Sequence, residues 1–156
     1  MHLDHVGIAT RDAAGLAAAL ADLFAVPIAR EETFDDTRIA FVDAGHAAAG
    51  ATTEDAGTGE NTTAGTEVTA DAGGPYLELL EPTDDDGPVV RFLDREGAGL
   101  HHVALATADA AHALDRARGM GIEPIDDEPR PGAWGHDVAF LRPDDTGGVL
   151  VEFVEH

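Results

Sequence analysis

Two histidines and two carboxylates recur at matched places in this sequence. Residues 3–14, LDHVGIATRDAA, and residues 100–111, LHHVALATADAA, are identical at eight of twelve positions at an offset of 97, which makes His5 and His102 counterparts. The segments GPYLELLE (74–81) and GVLVEFVE (148–155) superpose in turn so that Glu78 matches Glu152. Each half of the chain thus supplies one imidazole and one carboxylate, and pseudo-twofold pairing of the halves would bring all four to one point. A carboxylate inside a strand that otherwise reads Tyr, Leu, Leu, Leu is costly to bury unless it is paired or bound to a cation. One such residue is explained by a strand with a wet face, and a lone His5 by a satisfied core histidine. Neither explanation covers four ligand types at equivalent positions. Two imidazoles and two carboxylates without sulfur suit divalent Zn, Co, Ni, Mn or Fe and leave positions open on a six-coordinate centre, which points to catalysis.

These side chains need strands beneath them. Alternation places Leu3, His5, Gly7 and Ala9 on one face of the first strand, with Val6 and Ile8 on the other. In the second copy His102 falls with Leu100, Ala104 and Ala106, while His101 falls with Val103 and Leu105. Asp12 is a helix N-cap candidate, and Leu16, Leu20, Leu23 and Phe24 follow at helical spacing to cover the Val6/Ile8 face. Pro27 ends that helix, and strands follow over 28–34, 37–43 and 75–81. The second half repeats the order: strand 100–107, helix near 109–119, then strands near 121–126, 136–143 and 148–155. RIAFVD and DVAFLR match as third strands. Each half is β-α-β-β-β, and two such halves can curl their sheets around a shared cleft.

The expected organisation is α+β, a single domain over 1–156. Module one covers 1–82, a linker 83–98 carries the amphipathic VVRFLDRE, and module two covers 99–156. His5 and Glu78 are 73 residues apart, whereas His102 and Glu152 are 50 apart. The excess falls in 44–74, rich in Ala, Gly, Thr, Glu and Asp with Val68 its single bulky aliphatic residue, and expected to be a flexible surface insert. Of the other histidines, His2 and His156 lie at the ends, His46 in the insert and His112 on a helix. His101 is expected to support a neighbouring ligand or to pack, and His136 beside PGAWG is a weak site candidate.

Composition narrows the function classes. The absence of cysteine excludes a disulfide scaffold, a thiolate-held metal and a thiol nucleophile. Asp and Glu number 31 against 9 basic residues, a net charge of -22, and every basic residue is arginine. Such a surface resembles that of proteins from salt-loving cytoplasms, and it repels a phosphate backbone, so nucleic acid is not an expected partner. An anionic small molecule remains compatible if arginines cluster locally. No apolar run approaches membrane-spanning length, since Asp22 interrupts the stretch 13–21. A soluble cytoplasmic protein without a membrane partner is expected.

The doubled layout with His, Glu, His, Glu at these places resembles the vicinal oxygen chelate (glyoxalase/bleomycin resistance/dioxygenase) superfamily over nearly all of the chain except 44–74. Within it, LDHVGIAT, LELLEP, VVRFLDREGAGLHHVALAT, RPGAWG and VAFLRPDDTGGVLVEF are similar to segments of the methylmalonyl-CoA epimerases. The opening strand motif is common to the superfamily, and the run with GGVLVE is the more specific signal. The resemblance implies a curled, cleft-enclosing eight-stranded mixed sheet, with His5, Glu78, His102 and Glu152 as ligands of a divalent Co, Mn, Zn, Ni or Mg ion. It implies an isomerase of propionate metabolism that interconverts R and S methylmalonyl-CoA by α-proton abstraction through a metal-stabilised enolate. Glu152 is the catalytic acid/base expected on this basis, an acyl-CoA the substrate and a homodimer the assembly. Two departures stand out. Glu78 occupies a place where some epimerases have Gln, and the third strand of module one, where an acidic residue can stand, reads Arg38, Ile39, Ala40. The alternatives are a lactoylglutathione lyase of the glyoxalase I type, which the RPDDTGGVLVE ending disfavours, and a non-catalytic small-molecule-binding member without metal. An extradiol dioxygenase would need two histidines and one glutamate, leaving Glu78 without a role.

Overall fold

The sequence Thr-x-Asp-Ala follows each repeated strand, and both copies start a helix in the same way. The Asp12 side chain accepts from the Gly15 amide at 2.8 Å, and the Asp109 side chain from the His112 amide at 2.7 Å. In each case a glutamate from the module's last long strand reaches the next free amide: Glu81 accepts from Ala13 at 2.9 Å and Glu155 from Ala110 at 2.8 Å. These contacts satisfy amides that a helix start leaves without partners.

The computed structural model describes residues 1–45 and 74–156, so the expected insert lies almost wholly outside the described residues. The elements run β1 (His2–Ala9), α1 (Ala13–Phe24), β2 (Ile28–Phe34), β3 (Thr37–Asp43), β4 (Tyr76–Pro82), α2 (Pro88–Glu96), β5 (Gly99–Thr107), α3 (Ala110–Gly119), β6 (Arg130–Pro131), β7 (Asp137–Leu141) and β8 (Leu150–Glu155). The strands form one eight-stranded sheet in the order β2-β3-β4-β1-β5-β8-β7-β6. β1 pairs with β4 and β5 with β8 in parallel, and the other pairs are antiparallel, so two equivalent half-sheets meet at the antiparallel β1·β5 junction. This is the curled mixed sheet expected from the repeat. The flanks of the insert meet: Asp43 pairs with Tyr76, and a Cβ built on Gly45 would lie 2.3 Å from the Gly74 Cα.

One face of the sheet is covered by α1 and α3. Ala13 and Ala17 pack on Ala40, Val42 and Leu79, while Ala110, Ala113, Leu114 and Ala117 pack on Ala139, Leu141 and Phe153. Alanines let the helix backbones approach closely, and a larger side chain such as Leu114 contributes about 1.5–3 kcal/mol on full burial. α2, inside the expected linker, instead places Val89 and Leu93 on the opposite, cleft-facing side beside Ala9, Ile39, Phe41 and Leu80.

Outside the site, the helix α1 and the segment 121–126 differ from the sequence expectations. Leu23 and Phe24 are 72% and 52% exposed, because α1 rolls its alanine edge onto the sheet with Leu16 and Leu20 flanking it. The segment 121–126 forms a single bridge, Pro124 with Leu141, and the edge strand is the short β6. Pro124 has no amide to donate, and the Asp126 carboxylate accepts from the Phe140 amide at 2.8 Å, in place of a neighbouring strand's carbonyl.

Candidate metal centre

Strand register brings the four matched residues together. Across the four central strands, Glu78 neighbours Gly7, which pairs with His102; Glu152 neighbours Ala104, which pairs with His5. The two rows are related by the pseudo-twofold axis of the β1·β5 junction. The His102 ring lies over Gly7 so closely that a Cβ there would come within 2.2 Å of its Cε1.

All four side chains are buried. The Nε2 atoms of His5 and His102 are 2.9 Å apart. Glu78 Oε2 lies 3.3 Å from His5 Nε2 and 3.1 Å from His102 Nε2, and Glu152 Oε2 lies at 3.3 and 3.0 Å from the same atoms. His5, Glu78 and His102 each offer a ligand atom within 4.8 Å of the others, a set that could hold a metal ion.

The electrostatics follow from this crowding. Burial alone would discharge both rings, yet hydrogen bonds to Asp4, Glu152 and Glu78 push His5 up to about 12. Burial again opposes charge at His102, but Glu152 and Glu78 lift it to about 9. Burial would also favour neutral carboxyls, and the two imidazoles reverse this, holding Glu78 and Glu152 below the usual carboxylate range. A 2.9 Å contact between two Nε2 atoms requires one bare lone pair, so His5, held by three carboxylates, is the ring that carries its proton first. The donor set therefore fits a divalent cation. Two buried carboxylates face two Nε2 atoms that share one proton, and a divalent ion in place of that proton would balance both carboxylates.

The residues before the two histidines break the alternation. In the β1·β5 ladder Leu3 pairs with Leu105 and His5 with Ala104, leaving Asp4 as an extra residue; Gly7 pairs with His102 and Ile8 with Leu100, leaving His101 as another. These are two β-bulges, one on each strand, and each re-aims a side chain. Leu3 and Leu100 thereby pair with Leu105 and Ile8 and stay exposed, instead of sharing the face of His5 and His102 as alternation predicts. Asp4 Oδ1 accepts from His5 Nδ1 at 2.7 Å, and His101 Nδ1 lies 3.0 Å from His102 Nδ1. His101 thus faces the site, not Val103 and Leu105 as expected. Burial, followed by the charge of His102, lowers its pKa to about 4.

Two cavities reach the site. One of about 730 Å³ is lined by Asp4, His5, Phe41, Tyr76, Trp134 and His156 among others. A smaller one, about 290 Å³, is lined by Ile39, His101, His102, Arg130 and Phe140 among others, and both touch Glu78 and Glu152. Between them stands the 132–135 loop of module two. Trp134, with φ 59°, packs on Phe41 and Tyr76 at 4.8 and 5.2 Å between ring centroids, and its amide donates to Glu32 of module one at 2.6 Å. His136 donates to the Glu155 carbonyl, and its ring lies tilted against that of His156 at 4.1 Å between centroids. Asp4, Trp134 and His156 were not singled out from sequence; an acidic residue directly before His5 was the available signal for Asp4.

A two-module sheet with a buried His-Glu pair from each half is the architecture of a small-molecule or metal site at a module junction. Residues 4–140 match the Glyoxalase/Bleomycin resistance protein/Dioxygenase superfamily, and the chain belongs to it. The chain is 43% identical over 84 residues to the uncharacterized protein YqjC of Bacillus subtilis, covering 54% of this chain and 60% of YqjC. Against the mitochondrial methylmalonyl-CoA epimerase of Mus musculus it is 38% identical over 86 residues, covering 54% and 48%. The chain thus spans about half the length of the curated relatives it matches. Among solved structures, it resembles a Streptomyces coelicolor methylmalonyl-CoA epimerase variant in complex with 2-nitronate-propionyl-CoA at TM-score 0.78 and 30% identity, covering 99% of this chain and 96% of the other. A methylmalonyl-CoA epimerase in complex with methylmalonyl-CoA and NH4+ gives 0.77 and 31%, covering 99% and 93%.

Proposed function

We propose that this chain is a metal-dependent methylmalonyl-CoA epimerase in which His5, Glu78, His102 and Glu152 hold a divalent Co, Mn, Zn, Ni or Mg ion. The convergence of these four side chains within one chain carries the reading, and the epimerase relatives support it. When bound, the ion supplies positive charge beside the thioester and carboxylate oxygens of the substrate, where negative charge gathers as the α-proton leaves.

Glu152 is the base on one face. The α-carbon's C–H bond breaks, its electron pair spreads onto the thioester oxygen, and Glu152 takes the proton; reprotonation on the opposite face inverts the centre. Phe41, Val138, Val154 and Trp134 line the larger cavity and exclude water from the reacting carbon. The third strand supplies no second acid at the three positions considered. Arg38 is turned to Glu81 at 2.6 Å, Ile39 lines the smaller cavity and Ala40 is buried under α1. The second proton carrier is therefore another group.

The deciding experiment is exchange of the α-proton in deuterated water, with methylmalonyl-CoA and separately with a glutathione hemithioacetal. Exchange of methylmalonyl-CoA alone, abolished by a chelator and restored by one divalent ion, is expected. Exchange of the hemithioacetal instead, or an undiminished rate in protein shown by elemental analysis to be metal-free, overturns the reading.

A further inference from the structure

The two bulges re-aim side chains that touch the candidate ligands without joining them, and the first makes a continuous chain of hydrogen bonds. Asp4 Oδ1 accepts from His5 Nδ1 at 2.7 Å, and Asp4 Oδ2 accepts from His156 Nε2 at 2.6 Å. A carboxylate only accepts, so the direction of both bonds is set: each ring presents its N–H to Asp4. A hydrogen on His5 Nδ1 leaves Nε2 as the nitrogen that faces Glu78, Glu152 and His102. The Asp4 side chain is 12% exposed and the His156 side chain 46% exposed, so the chain runs from the buried ring to the rim of the larger cavity.

We infer that Asp4 is the positioning residue of the first module: it fixes the rotation of the His5 ring and directs Nε2 into the site, with His156 bracing its other oxygen. The bulge is the device that makes this possible. On an unbroken strand alternation would turn Asp4 to the face opposite His5, out of reach of Nδ1. His101 occupies the matching bulge and its Nδ1 meets His102 Nδ1 at 3.0 Å, so the second ring is met by an imidazole where the first is met by a carboxylate. Asp4 is bound on both sides, and this satisfies a carboxylate directly beside a buried histidine.

The inference rests on the four side chains holding a metal ion, so its test reads metal uptake and proton exchange instead of epimerisation. Co²⁺ is titrated calorimetrically into the full chain carrying Asp4→Ala, Asp4→Asn or His156→Ala. Asp4→Ala is expected to weaken Co²⁺ binding about 10–100-fold, the usual scale for losing the partner of a ligating histidine. Asp4→Asn, which keeps an acceptor oxygen without the charge, recovers part of the loss, and His156→Ala loses less than Asp4→Ala. In Zn²⁺-loaded protein the His5 Nδ1 proton should be a slowly exchanging resonance that disappears in Asp4→Ala and persists in Asp4→Asn, a readout that a purely structural role would not move. Should Asp4→Ala fail to fold, the isosteric Asp4→Asn carries the test through its reduced affinity. Parent protein that binds neither ion overturns the metal reading itself. Parent-like Co²⁺ affinity in Asp4→Ala, with the His5 proton still protected, overturns only the positioning role.

Discussion

In the first module Asp4 stands before His5, and in the second His101 stands before His102; the two modules otherwise set up their histidines alike. Each opens with a strand that leads through Thr-x-Asp-Ala into a helix. In each, a glutamate three residues beyond the candidate ligand carboxylate closes the helix start, Glu81 after Glu78 and Glu155 after Glu152. Each carries its bulge in the shared ladder directly before the histidine. The differences lie elsewhere. Gly7 sits under the His102 ring where Ala104 sits beside His5, a carboxylate braces one ring and an imidazole the other, and only module one carries a long segment between its third and fourth strands. What places the backbone is duplicated, and what tunes the donors is not. This division suits the proposed epimerisation, in which one face of a carbon loses the proton and the other receives it.

The carboxylates give the strongest test of that asymmetry. Glu78 and Glu152 are nearly indistinguishable in burial and in their distances to the two rings, yet only Glu152 is assigned the proton. Glu152→Gln should bind metal and substrate but lose about 10² to 10⁴ in turnover. Glu78→Gln keeps an oxygen donor and should lose far less. Metal analysis with epimerisation and deuterium-exchange rates on both variants checks this. Matching losses would mean that both residues serve only as ligands and that the base is elsewhere.

The glycine under His102 gives the next. A Cβ at Gly7 would meet the ring at 2.2 Å, so Gly7→Ala should displace His102, cost about 1–3 kcal/mol from overpacking and lower Co²⁺ affinity. Ala104→Gly removes a buried methyl next to the other ring. It should cost about 0.5–1 kcal/mol in stability with metal affinity retained. Denaturant melts and Co²⁺ titrations of the pair make the comparison; equal affinities would show that His102 is free to shift.

The repeat made the strand order, the convergence of His5, Glu78, His102 and Glu152 and both helix starts legible, because period-2 alternation, helical spacing and capping residues are local signals. The bulges were not legible. A bulge depends on the partner strand, so alternation placed Leu3 and Leu100 on the ligand face and turned His101 away from it. The exposure of Leu23 and Phe24 had the same origin: α1 buries whichever edge fits the sheet, and here that edge is Ala13 and Ala17. Asp126 accepting from Phe140 replaced a strand pairing that β-type residues near 121–126 suggested. His156 was set aside as a chain end, although folding carries it back to Asp4.

The smallest effect is expected from removing the largest difference between the modules. Deleting residues 47–72 should leave the fold, the metal affinity and the saturation by substrate unchanged. By composition the segment offers Val68 as its single bulky aliphatic residue, too little apolar surface to offset the entropy of ordering it. Its flanks already meet at Gly45 and Gly74, with Asp43 and Tyr76 paired beneath them, so a short turn can replace it without moving β3 or β4. The deletion also removes Glu54, Asp55, Glu60, Glu67 and Asp71 and no arginine from a chain of net charge -22. Self-repulsion should therefore ease slightly, and the shortened chain should melt no lower than the parent in dilute buffer. Any gain should vanish near 1 M KCl, where the screening length falls to about 3 Å. Thermal melts of both chains across that salt range, with Co²⁺ titration and substrate saturation at each end, decide the matter. A shortened chain that melts lower, or that binds metal but no longer saturates with substrate, would show that the segment belongs to the site and that the two modules differ in function as well as in length.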